Sequence, residues 1–202
     1  MRAAVLALLG LVALGLAACG GSGDDGDEDE IRAMVEVSAM STYPADCTRY
    51  LTLNMLEQTT KRQGRAAVRE CEENTLEESS GPDAVWSSDI EVDGDRATAR
   101  VAFEGGSYDG QAFDVALVEI DGQWKLHELV SFATFDREAL VLGWGREGLE
   151  RAASAEQADI VSCVIGELDK LSDADLQALV LDPSPEPGAA LVRPCEPRSD
   201  SV

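Results

Sequence analysis

The chain has 202 residues, 45% of them apolar, with 39 acidic side chains against 16 basic ones and a formal net charge of -23. That length allows one ordinary domain with additions, and that apolar share allows a buried core. A surface this acidic repels nucleic acid and anionic headgroups, which excludes both as ligands of the folded part; solubility is the plain reading of the charge.

Residues 1–18 read as a signal peptide. Arg2 supplies a positive start, and Ala3 to Leu16 is an apolar run too short to span a bilayer comfortably. Leu16-Ala17-Ala18-Cys19 matches the bacterial lipobox and resembles lipoprotein signal peptides. The resemblance implies that the Cys19 thiol receives a diacylglycerol and that Cys19 becomes the new N-terminus. Two acyl chains, such as palmitate, hold a protein on a membrane stably where one is marginal. No other stretch approaches the length of a spanning helix. The expected location is therefore the extracytoplasmic face of the cell membrane, anchored through Cys19.

Residues 19–30 read as a tether. Gly20 to Gly23 is flexible, and the six acids of Asp24 to Glu30 repel one another and extend it. A calcium loop of the EF-hand type needs glycine at its sixth position, but counting from Asp25 that position is Glu30. Four cysteines remain beyond Cys19, and four allow three pairings. Cys47–Cys71 and Cys163–Cys195 are favoured, because each pair lies inside one predicted unit. Each bridge stabilises by about 3 kcal/mol. Zinc would want CxxC spacing and histidine partners, whereas the chain has one histidine and no CxxC. No metal and no cofactor is expected.

Glu30 to Thr42 is helical by pattern, with Ile31, Met34, Val35 and Ser38 on one stripe. Cys47 to Gln58 predicts a second helix and Arg65 to Glu78 a third; Ser79 to Asp83 is the break into the sheet. Residues 85–136 then read as a meander of about four strands, with turns at Asp93-Gly94 and Asp121-Gly122 and a glycine-rich corner at 105–110. The period of two puts Ala97, Ala99, Val101 and Phe103 on one face, and Phe113, Val115 and Leu117 on one face of the next strand. On the last strand it groups Trp124, Leu126, Glu128, Val130 and Phe132, opposite Lys125, His127, Leu129 and Ser131.

Arg137 to Ala153 looks helical, yet Gly143, Gly145 and Gly148 weaken it by about 1 kcal/mol each, which suggests a surface helix or an irregular arm around Trp144. Ser154 to Leu171 is a stronger helix, striped by Ile160, Val161, Val164, Ile165 and Leu168. Ser172 to Asp175 caps a short helix that ends before Pro183, and the remainder is expected to be extended and stapled by Cys195. The fold class is α+β: N-terminal helices packed on a curved, cone-like antiparallel sheet, with a C-terminal helical hairpin. The predicted divisions are 1–18, 19–30, 31–136 and 137–202.

Three helices before a strongly bent sheet resemble the nuclear transport factor 2-like fold, which includes SnoaL-like and ketosteroid isomerase-like proteins. The carrying residues are Val92-Asp-Gly-Asp-Arg-Ala-Thr-Ala-Arg-Val101 and Leu117-Val-Glu-Ile-Asp-Gly-Gln-Trp-Lys-Leu126. The start Cys47 to Thr52, with the later Cys71, looks like actinobacterial lipoproteins of this type. The resemblance covers about residues 30–136 and implies a cone with a pocket. In family enzymes that pocket holds an Asp or His base with Tyr or Asp donors.

Here the weak catalytic candidates are Asp114, Glu128 and His127. Rim carboxylates and an exposed strand histidine are their plain readings; a carboxylate buried in the cone would have a raised pKa and could act as a base. Trp86, Phe103, Phe113, Trp124 and Phe132 read first as core and second as a ligand platform. No nucleophile elbow, phosphate loop or dinucleotide glycine pattern is present. The expected role is a non-catalytic module that binds a small apolar ligand in the cone or docks an envelope protein. An isomerase or dehydratase with Asp114 or Glu128 as base, and a structural envelope component, are the alternatives.

Overall fold

A computed structural model describes residues 24–76 and 81–196. Cys19 and the signal segment lie outside the described residues. Four strands, β1 (Ala84–Asp93), β2 (Arg96–Glu104), β3 (Ala112–Ile120) and β4 (Gln123–Thr134), form one antiparallel sheet in chain order. Asp121 and Gly122 both take positive φ, 54° and 74°, which is the backbone that a two-residue turn between twisted strands requires.

The sheet curves because its edge strands carry extra residues. β1 bulges between Ser88 and Glu91, where Asp89 has φ 50°. β4 shifts register three times against β3, so that Phe132, Leu129 and Leu126 pair with Phe113, Val115 and Leu117. Each bulge adds one residue and bends the strand. This overturns the strict alternation expected for β4. Beyond Leu126 the phase slips, Leu129 takes the inward place and is buried, and Glu128 and Val130 face out.

Helix α1 (Asp24–Met40) lies over β1 and buries Ile31, Met34 and Val35. It begins inside the stretch expected to be an extended tether. The acids there complement the positive end of a helix, and Asp29 pairs with Arg32 at 2.7 Å. The expected helix 47–58 is two: α2 (Asp46–Tyr50) and α3 (Leu53–Thr60). The break serves the sheet, since Leu51 bridges Leu126 and Thr52 N–H donates to the Leu126 carbonyl at 3.0 Å. The Thr52 hydroxyl then caps α3 by accepting from Met55 N–H. Helix α4 (Arg65–Leu76) is clamped to α2 by the Cys47–Cys71 disulfide.

Helix α5 (Arg137–Arg151) is continuous, as the helix expectation had it and against the irregular arm, and its inner face buries Leu140, Val141, Gly143 and Gly145. Its glycines are contact points. A methyl at Gly143 would stand 2.8 Å from the Ser107 carbonyl, one at Gly145 2.8 Å from Ile165, and one at Gly148 2.9 Å from Val161. Those neighbours are distant in sequence, so the spacing looked like weakness. Helices α6 (Ala155–Leu168) and α7 (Asp173–Leu181) form the hairpin, capped by Ser154 and Ser172. Arg137 holds the hairpin's bend, donating to the carbonyls of Leu168 and Asp169 and pairing with Asp173.

The tail expected to be extended forms α8 (Glu186–Val192) and a 3-10 turn at Arg193–Cys195. The Cys163–Cys195 disulfide ties that turn to α6. Leu140, Val141, Leu168, Leu176 and Val180 share one buried cluster with the sheet. The C-terminal helices therefore complete the same core and do not form a separate one.

Candidate ligand cavity

The concave face of the sheet is only partly filled. It holds a cavity of about 420 Å³. Val101, Phe103, Phe113, Val115 and Leu129 form its floor. Val35 and Ala39 of α1, with Met55 of α3, form one wall, and Trp144 of α5 faces them. Gly81 and Pro82 also line a second hollow of about 330 Å³, with Asn74, Thr75 and Arg151.

The polar groups on the two walls differ. Ser38 donates its hydroxyl to the Val35 carbonyl at 3.0 Å, and Thr59 donates to the Met55 carbonyl at 2.8 Å. Both hydroxyls thus bond to their own helices, and that wall is effectively apolar. Opposite, the Tyr108 ring packs edge-on to Phe113 at 5.4 Å and against Phe103 at 5.9 Å. Burial pushes the Tyr108 phenol up to about 12, and the nearby Glu147 charge adds to this. Glu147 also lines the cavity and pairs with Arg151, one helical turn on, at 2.8 Å.

Local structure fixes Tyr108. It ends a 3-10 turn, Gly106–Tyr108, that positive φ at Gly105 and Gly106 permits. Arg146 donates to the Gly106 carbonyl at 3.0 Å, and the bare face of Gly143 lies against the Ser107 backbone. Gln111, almost fully buried, bridges this corner to α5: its Oε1 accepts from Asp136 N–H at 3.0 Å, and its Nε2 donates to the Asp109 and Asp136 carbonyls.

Of the aromatic candidates, Phe103 and Phe113 line the cavity. Phe132 backs Phe113 at 4.5 Å and belongs to the core. Trp124 is buried at the far end, beside a smaller hollow with Met34 and Tyr50. Trp86 is 49% exposed, paired across from Ala102 on the outer face of β1.

None of the three catalytic candidates lines the cavity. Asp114 lies on the outer face, where Arg100 joins it at 3.2 Å and reaches Asp89 at 2.8 Å; the Ser131 hydroxyl donates to its second oxygen. Glu128 is exposed by the bulges of β4. His127 is half-buried against the α2–α3 break, its Nδ1 3.2 Å from the Thr52 hydroxyl.

Tyr108, Trp144 and Glu147 were not among the expected site residues. The glycine-rich corner and the Gly143-x-Gly145 spacing were visible, but which surface each approached was not. Among the described residues no group of His, Cys, Asp or Glu is arranged to hold a metal ion, and no helix is long and apolar enough to cross a membrane. Comparison of the chain with known protein families, with characterised proteins and with solved structures gives no match.

Proposed function

We propose that this chain is a lipid-anchored extracytoplasmic binding module of the nuclear transport factor 2-like kind, which holds a small apolar ligand in its cone. The observation that carries this reading is the apolar cavity of about 420 Å³ on the concave face of the sheet. A concave, mostly apolar hollow with a few converging polar groups is the usual form of a small-molecule site. Asp114 and Glu128 lie outside the cavity lining, which supports binding over the isomerase-like alternative with either as base. An open cone also favours a ligand over docking through a filled one. The location rests on the lipobox at Cys19.

The test is native mass spectrometry of the protein released from its own host's membranes. A reproducible adduct of a few hundred daltons, lost on organic extraction, is the expected result. A bare protein mass, together with no binding of the neutral fluorophore N-phenyl-1-naphthylamine, overturns the reading.

A further inference from the structure

The polar end of the cavity is built from two groups of opposite hydrogen-bonding sense. Among the described residues, no hydrogen bond reaches the Tyr108 hydroxyl. At neutral pH that phenol keeps its proton, so it is a donor as well as an acceptor. The Glu147 carboxylate is an acceptor only. Both line the same cavity, and the Glu147 charge acts on the Tyr108 phenol. Glu147 follows Gly143 by one helical turn, so the contact of Gly143 with the Ser107 backbone turns the Glu147 face of α5 toward Tyr108.

One Glu147 oxygen pairs with Arg151 at 2.8 Å and the other is left to accept; a ligand carboxylate would still add a like charge beside it, inside a protein of net charge -23. An ammonium would suit Glu147 but has no lone pair for the Tyr108 proton. A hydrocarbon would satisfy neither group. A hydroxyl both accepts and donates, and is uncharged. We propose that the cavity selects an uncharged lipophile bearing a hydroxyl group, whose oxygen accepts from Tyr108 and whose proton is donated to Glu147. This rests on the ligand-binding reading above and names the chemical class of the ligand.

The experiment is displacement of N-phenyl-1-naphthylamine from the extracted, delipidated full chain by 1-decanol, decanoate, decylammonium and decane. Decanol should compete about tenfold more strongly than each of the other three, the scale of one hydrogen bond to a charged group. Tyr108→Phe keeps the ring and removes the donor. It should erase most of the advantage of decanol over decane, read as the ratio of the two displacement constants within each protein. Glu147→Gln removes the charge and should improve decanoate binding several-fold.

Fluorophore binding with decanol no better than decane overturns the hydroxyl assignment and leaves the cavity reading standing. Preference for decylammonium means a cation site, and preference for decanoate means that Arg151 governs binding; either overturns the proposal. Absence of fluorophore binding, with no displaceable ligand, removes the ligand-binding reading itself.

Discussion

The Gln58 carboxamide pairs with both backbone groups of Leu129: its Oε1 accepts from Leu129 N–H at 2.7 Å, and its Nε2 donates to the Leu129 carbonyl at 2.9 Å. A side chain on α3 thus replaces a neighbouring strand at the bulged edge of β4. The same Nε2 donates to the Leu181 carbonyl at 2.7 Å, where α7 ends. Gln58 is 4% exposed, so water does not easily take its place. Gln58→Leu keeps the approximate volume and strands these partners. It should lower stability by about 3 kcal/mol, read as a lower urea midpoint with unchanged slope. A midpoint within error of the parent would mean that the edge is held by other contacts.

Two glycines in neighbouring helices should respond oppositely to alanine. At Gly143 the added methyl meets the Ser107 carbonyl at 2.8 Å, and backbone yields little. Overpacking of this kind costs about 1–3 kcal/mol, against a gain of about 1 kcal/mol from helix propensity. Gly143→Ala should therefore melt lower and, by shifting α5, weaken fluorophore binding. At Gly166 nothing lies within 4 Å, so Gly166→Ala should stabilise by about 0.5–1 kcal/mol and leave binding alone. Thermal melts of the two variants beside the parent decide both.

The meander was legible because its turns announce themselves: Asp121-Gly122 sits where positive φ is required, and the alternation of β2 and β3 survives intact. The disulfide pairs were legible because each lies within one local unit. What failed was everything set by a partner distant in sequence. The bulges of β4 leave no local mark, so strict alternation groups Glu128 with Trp124 and Leu126 and sets Leu129 opposite them. The glycines of α5 look weak until Ser107, Val161 and Ile165 are beside them. Tyr108 and Trp144, each next in sequence to the Ser107–Gly143 contact, line the cavity, so two of its defining residues lay hidden in a loop and in a glycine-rich helix.

Lys61 and Tyr108 set opposite pH dependences in separate windows. Burial lowers the Lys61 ammonium from 10.5 to about 8, partly opposed by Asp182, while its Nζ donates to the Val180 and Asp182 carbonyls. Between those pKa values the unfolded chain binds the proton more tightly, so this contribution to stability rises with pH and is lost as pH falls through about 8. Tyr108 is raised from 10.0 to about 12, so its contribution is full below 10 and lost as pH rises through 12. The stability difference between parent and Lys61→Met should therefore grow from pH 8 to 10. That between parent and Tyr108→Phe should shrink only above pH 10. Tyrosinate absorbance should show one late step near pH 12, absent from Tyr108→Phe. Flat difference curves across both windows would contradict the assignment.

The two disulfides close loops of similar length, with sequence separations of 24 and 32, so chain entropy alone gives each about 3–4 kcal/mol. Their structural roles differ. Cys47 is buried and ties α2 to α4 behind α3, which supplies Met55 to the cavity wall. Cys163 and Cys195 are half-buried and tie the last turn to α6, away from the cavity lining. Replacing Cys163 and Cys195 together by alanine should lower the melting temperature and leave N-phenyl-1-naphthylamine affinity unchanged. Replacing Cys47 and Cys71 should lower both, because α3 loses its backing and the cavity wall loosens. Equal loss of affinity in the two double variants would show that the cavity depends on global stability and not on the wall that the first bridge supports.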